Sequence, residues 1–281
     1  MVTRQSIDID KEIRNIPPLP GAFTEIMHKI NDEVPDYTTL AGIISKDPAL
    51  VSRVLIVANS SFYGFSGRIN GIKEACLILG LHTIRHIAFT VGVLMQLSTD
   101  KKGRPNIDHQ KLWYHSLGAG VVARTFAAYV REDPDTAFTA GLLHDIGKII
   151  FDVYFTNEYA RVVEHRDQEG CSLFDAENAV LGIDHCLIGA RVANKWRLPD
   201  TIIAVIEHHH RPSQTTPSAM IDLVHFGDVM SRRLSIGDGG DGNIPDLDLA
   251  AMARLGIDPQ DIETLLPEIK KHVELGKFVL G

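Results

Sequence analysis

The sequence predicts an all-helical fold. Three observations predict it: apolar residues recur at three- and four-residue spacing along most of the chain, side-chain acceptors or prolines stand where first helical turns need them, and no run alternates polar and apolar residues with the period of a strand. No Asn-Gly turn joins two strand-like segments.

The first fourteen residues, MVTRQSIDIDKEIR, are polar and of mixed charge, and 1–15 reads as a tail. Residues 16–98 read as an N-terminal helical group. Asp36 precedes YTTLAGII, where Leu40, Ile43 and Ile44 share a face, and Asp47-Pro48 precedes ALVSRVL, where Leu50, Val51, Val54, Leu55 and Ala58 do the same. An aspartate there accepts from the unpaired N–H groups of a first turn, and a proline there costs no hydrogen bond. Tyr63–Asn70 (YGFSGRIN) reads as a loop, with Phe62, Tyr63 and Phe65 as packing residues by default. Helical spacing resumes over Ile72–Leu97. Polar Thr99–Asp108 then divides this group from a longer one over 109–234, in which Pro134-Asp135 opens TAFTAGLL. Ser235–Asp246 is rich in glycine and aspartate. It reads as a flexible connector, since the twelfth position from Asp238 is Leu249, where a calcium loop needs a bidentate Glu. It opens a linker and helical tail over 235–281, and 16–234 reads as one unit.

Composition excludes several classes of function. The 281 residues carry a formal net charge of −8, and no basic helix or arginine-rich stretch offers phosphates a broad partner, so nucleic acid is set aside. The longest apolar run, around Ile87–Leu97, is interrupted by Thr90, Gly92 and Gln96 and falls short of the roughly 20 apolar residues of a spanning helix. The polar start has no signal-peptide core, and Cys76, Cys171 and Cys186 are scattered without a CxxC pair. No membrane, no thiolate zinc site and a reducing cytoplasm are the expectations.

Histidine is abundant, with 13 residues, and several stand in special company. In the helix opened by Pro134-Asp135, His144 and Asp145 are adjacent, about 100° apart around the axis, so they converge on one cation only when other helices supply further ligands. Candidates exist in His115, His185, the tandem His208-His209 and Asp228, each on or at the end of an apolar-periodic segment. A polar side chain facing inward from such a segment must be paired or ligated. Imidazole with carboxylate suits iron, manganese or zinc. The alternative is a buried polar network in which histidines bond carboxylates with no cation, and for Asp228 a surface position with His225 turned inward instead. Lys148, one turn beyond His144, could meet a phosphate or serve only the helix dipole. His82 and His86 have the spacing of a zinc pair but no third ligand near in sequence, and read as solvated helix residues; Glu207 and His210 read as supporting or exposed groups.

The chain resembles an HDOD domain, a branch of the HD superfamily of metal-dependent phosphohydrolases. The residues that carry the resemblance are IPPLPGAFTEIMHKIND at 16–32, IISKDPALVSRVLIVANSSFYG at 43–64, INGIKEACLILGLHTIRHIAF at 69–89, the histidine stretches above and the LGI…IETLLPEI tail. The resemblance implies an HD-type helical core with an N-terminal helical group packed on it. It implies metal-ligand positions at His115, His144, Asp145, His185, His208 or His209, and Asp228, with Asp145 bridging if two ions bind, and catalytic roles for Asp145 and Lys148. Many HDOD members have this site eroded and act as signalling modules, whereas here the ligand series can be read in full. The GYP signature of related cyclic-dinucleotide phosphodiesterases is absent after His210, and Lys111 stands where a further carboxylate would be sought, so one or two ions are expected and not three.

Two functions follow as expectations. One is a signal-transduction module that keeps its divalent metal, iron slightly ahead of manganese and zinc, and works with a separate protein partner. The other is an active phosphohydrolase acting on a phosphomonoester or nucleotide, with a metal-activated water. The sequence leaves oligomeric state open.

Overall fold

The computed structural model describes residues 9–19, 37–59, 63, 65, 68–99 and 105–280. Asp36, Phe62 and most of the 16–32 stretch therefore lie outside the described residues. Among those described there are helices and no strand. The N-terminal group comprises α1 (Ile9–Asn15), α2 (Tyr37–Ile44), α3 (Pro48–Ala58), α4 (Ile72–Leu79) and α5 (Leu81–Thr99). The larger group comprises α6 (His109–Ala127), α7 (Pro134–Leu143), α8 (Ile146–Tyr154), α9 (Thr156–Glu169), α10 (Leu173–Val180), α11 (His185–Lys195), α12 (Asp200–His208) and α13 (Ala219–Arg233). Helices α14 (Leu249–Leu255) and α15 (Pro259–Leu280) follow.

The start signals act as their chemistry requires. Asp47 caps α3 through Ala49 and Leu50, Asp108 caps α6 through Lys111, and Asp184 caps α11 through Leu187. At α7 the cap is Asp133, which accepts from Thr136, while Pro134 takes the first helical position and Asp135 lies within the turn. Residues 9–15, expected as a tail, form α1. Its terminal carbonyls need donors, and Lys195 Nζ reaches the carbonyls of Ile13, Arg14 and Ile16 at 2.8, 2.9 and 2.7 Å.

Helix α6 is the central rod. It packs against α7, α13 and α15, and its middle is lined by Gly118, Ala119, Gly120, Val121, Val122 and Ala123, all buried. Such small residues let backbones approach closely. At the crossing of α6 and α7 a Cβ added to Gly141 would lie 2.6 Å from Gly120 Cα, so neither helix can retreat without opening the core. A second close approach joins α8 to α11: a Cβ on Gly147 would meet the His185 carbonyl oxygen at 1.9 Å. Helix α5 packs on α7, so the N-terminal group rests against the same central helices.

Two expectations change here. His144 and Asp145 do not lie within one helix, because α7 ends at Leu143 and α8 begins at Ile146. The turn between them releases both side chains from the fixed angular offset of a helix. Ser235–Asp246 is not a flexible connector. Its backbone is held by Asp238 N to Lys111 O at 3.0 Å, by Lys148 to Gly239 O at 2.8 Å and by Arg166 to Gly240 O.

Replacing Gly141 by Ala is predicted to destabilise the protein by about 1–3 kcal/mol through overpacking against Gly120. Urea unfolding followed by circular dichroism measures this, and an unchanged midpoint would show that the two helices are not held in this contact.

Candidate metal centre

Five parts of the chain deliver the polar cluster at the centre of the larger group. Helix α6 carries His115, the α7–α8 turn carries His144 and Asp145, α11 begins with His185, α12 is followed by His209, and α13 carries Asp228. All six side chains are buried, none more than 2% exposed. Three of the rings are braced from behind. Nδ1 of His144 lies 2.6 Å from Gly141 O, Nδ1 of His209 lies 3.0 Å from Ile206 O, and Nδ1 of His185 lies 2.6 Å from Glu177 Oε2. A carbonyl oxygen only accepts, so His144 and His209 donate from Nδ1 and turn Nε2 inward. This is the arrangement in which imidazole serves as a metal ligand.

Those inward nitrogens divide between the two oxygens of Asp145. Oδ2 faces His115 Nε2 at 3.6 Å and His144 Nε2 at 3.4 Å. Oδ1 faces His185 Nε2 at 3.3 Å and His209 Nε2 at 3.6 Å. Asp228 adds Oδ1 at 2.9 Å from His115 Nε2 and Oδ2 at 3.9 Å from His210 Nδ1. The His115–Asp228 contact is close but misaligned, and His115 Nε2 makes no hydrogen bond. Of six buried side-chain polar atoms without a hydrogen-bond partner among the described residues, five are in this cluster: both ring nitrogens of His115, Nε2 of His144, Oδ1 of Asp145 and Oδ2 of Asp228. An orphaned buried polar atom costs roughly 1–3 kcal/mol. Concentration of so many in one place is what a cation site looks like without its cation, and it does not fit a self-sufficient polar network.

The charge states fit the same reading. Burial alone would raise the carboxyl of Asp145, but His144 and Lys148 beside it hold it well below the usual range; Arg232 and His115 do the same for Asp228. Burial pushes His115 down to about 4 and also lowers His185, His209 and His210, so these rings are neutral at physiological pH. His144 differs: burial lowers it, but Asp145 raises it further, so it competes for a proton or a cation. Two carboxylates and neutral imidazoles make a donor set for a divalent ion. Cys186 lies 3.9 Å from His209 Nε2, yet burial raises its thiol well above the usual range and keeps it protonated.

Lys148 is 1% exposed and is no helix-end surface lysine. Its Nζ donates to Asp145 Oδ2 at 2.7 Å and to Gly239 O at 2.8 Å. Arg232, one turn after Asp228, donates to that carboxylate at 2.9 Å and to Asp241 at 2.7 Å. The glycine-rich segment is thereby tied to both acids of the cluster. Beside it a cleft of about 260 Å³ opens to the surface, lined by Lys148, Phe174, His185, His210, Arg211 and Arg232 among others.

His208 is not brought into the cluster. Its side chain is 33% exposed and lies 3.9 Å from Glu207; the inward residue of the tandem is His209. His210, read as a supporting or exposed group, instead places Nε2 3.0 Å from His185 Nε2. Asp228 is the inward acid of α13, whereas His225 braces the site from outside, with Nδ1 2.8 Å from the His209 carbonyl. Sequence reasoning missed Glu177, which holds both Nδ1 and the backbone N–H of His185 (2.6 and 2.7 Å) while accepting from Tyr159. No spacing rule links residues 177 and 185 across a turn. Arg232 could have been found, since it stands four residues after Asp228 on a helix.

Comparison with known proteins agrees with this architecture. A family model for the HDOD domain matches residues 16–212. An uncharacterized protein of Treponema pallidum (strain Nichols) is 26% identical over 240 residues, 83% of this chain and 45% of that protein, so the chain spans less than half the length of this relative. The crystal structure of an HDOD domain protein of unknown function from Geobacter sulfurreducens superposes with a TM-score of 0.78 at 25% identity, covering 94% of this chain and 96% of the other. That of a candidate signal transduction protein from Marinobacter aquaeolei VT8 shares the fold with a TM-score of 0.75 at 20% identity, covering 99% of this chain and 67% of the other. Among the described residues no helix is long and apolar enough to cross a membrane.

Glu177→Gln keeps the volume of the side chain and leaves one oxygen where two now serve Tyr159 and His185. It is predicted to weaken divalent-ion affinity by about 10–100-fold, measured by competition with a chromophoric chelator. Wild-type affinity in the variant would show that Glu177 does not position His185 for a cation.

Proposed function

The chain belongs to the HDOD family, and we propose that it is a signal-transduction module of that family which retains an HD-type metal centre. The observation that carries this reading is the division of Asp145, one oxygen facing His115 and His144 and the other facing His185 and His209. A carboxylate so placed suits a bridge between two divalent ions. His115, His144, Asp145 and Asp228 would hold one of them, and Asp145, His185, His209 and His210 the other. The nitrogen and oxygen donors favour iron, manganese or zinc, with iron the first to seek.

In the signalling role the ions tie α6, the α7–α8 turn, α11, α12 and α13 into one body, which a separate cytoplasmic protein partner reads. The cleft supports a second reading, an active phosphohydrolase. Bound ions would lower the pKa of a water and polarise phosphoryl oxygens. Lys148 and Arg232 already stand at the cleft and would orient the phosphoryl group of a monoester or nucleotide.

Elemental analysis of the chain purified without added metal is predicted to find iron, manganese or zinc at one or two ions per molecule, and Asp145→Ala to lose them. No transition metal, together with no rise in melting temperature on adding Mn²⁺, would refute the metal centre. Phosphomonoester and nucleotide hydrolysis by wild type against Asp145→Ala decides the second reading: equal residual activity in both rejects it.

A further inference from the structure

His82 and His86 stand one turn apart on α5, and the sequence offers them no third group. The fold supplies one from the start of α7. One donor atom each from His82, His86 and Asp133 lie within 4.8 Å of one another, and the two ring centroids are 4.5 Å apart. His82 Nε2 is 3.8 Å from Asp133 Oδ2, and its Nδ1 is 3.6 Å from Asp135 Oδ2.

The hydrogen bonds around the pair decide which ring nitrogens are available. Thr139 Oγ1 donates its single hydrogen to the Asp135 carbonyl at 2.9 Å, so toward His86 Nδ1, at 3.0 Å, it can only accept. His86 therefore carries its proton on Nδ1 and leaves Nε2 as a bare lone pair. At His82 the carboxylate of Asp135, fixed by Thr83 Oγ1 at 2.7 Å and by Arg124, stands on the Nδ1 side, while Nε2 faces Asp133. His86 is thus set with Nε2 as its ligating atom, and His82 presents Nε2 toward Asp133. His86 is backed by a hydroxyl, as an outer partner orients a metal-bound histidine. A solvated helix residue would need no such backing group.

We propose that His82, His86 and Asp133 form a second divalent-cation site, of the zinc class, which clips α5 of the N-terminal group to the start of α7. Two imidazoles and one carboxylate leave a fourth tetrahedral position for water. The side chains of His82 and Asp133 are 47% and 43% exposed, so the ion enters directly from solvent. This site shares no ligand with the buried centre and stands or falls without it.

The test is Zn²⁺ binding to the full chain by equilibrium dialysis, comparing wild type, His82→Ala and Asp133→Asn. His82 is half-exposed, and Asn caps a helix as well as Asp, so circular dichroism of both variants without zinc should match wild type. Wild type is expected to take up one more zinc per molecule than either variant, or to bind that ion at least tenfold more tightly, with a zinc-dependent rise in melting temperature that both variants reduce. The same difference is expected when all three chains also carry Asp145→Ala, which separates this site from the buried one. Equal stoichiometry and affinity in wild type, His82→Ala and Asp133→Asn would overturn the proposal.

Discussion

The structure depends on one buried carboxylate. Asp145 is 2% exposed, it is ionised, and its two oxygens are approached by four imidazoles and by Lys148. An ionised carboxylate cannot be sunk in a helical core without partners of this kind. The hydrogen bond of Lys148 neutralises one side of it and leaves the inward histidine nitrogens unserved. The remainder of the demand falls on a cation. Much of the arrangement around it serves that demand, from the carbonyl oxygens that fix His144 and His209 to Glu177 behind His185 and Arg232 beside Asp228.

Helices of ordinary side-chain bulk would hold these donors too far apart. The small residues at the middle of α6, and Gly141 and Gly147 on either side of the His144-Asp145 turn, let α6, α7, α8 and α11 close on the same point. The break between α7 and α8 is the second requirement. Adjacent residues within one helix diverge by about 100°, whereas here Asp145 has φ −99° and ψ 14°, and both side chains turn into the same cavity. Packing and chemistry therefore make the same demand on the sequence GLLHDIGK.

The elements were largely legible from the sequence because helix caps and apolar spacing are local signals. Asp47, Asp108, Asp133 and Asp184 each satisfy the N–H groups that follow them, wherever the helix then packs. The site was legible as a set of residue types and less so as a geometry. Nothing local says which of His208 and His209 turns inward; that depends on the angle at which α12 meets α7 and α11, and its outcome also brings His210 into the cluster. Glu177 reaches His185 across a turn between two short helices. The glycine-rich segment after α13 looked mobile by composition, yet its carbonyls are the acceptors that Lys148 and Arg166 need. His82 and His86 lacked a partner in sequence because theirs, Asp133, comes from a helix some fifty residues on, which only tertiary packing brings near.

The division of Asp145 between two histidine sets is the central claim, and X-ray absorption at the metal edge tests it most directly. Iron- or manganese-loaded protein should show nitrogen and oxygen neighbours, the multiple scattering of several imidazoles, and a metal–metal vector at about 3.5–4 Å. A spectrum with no imidazole scattering, or with sulfur neighbours at the metal, would contradict the account.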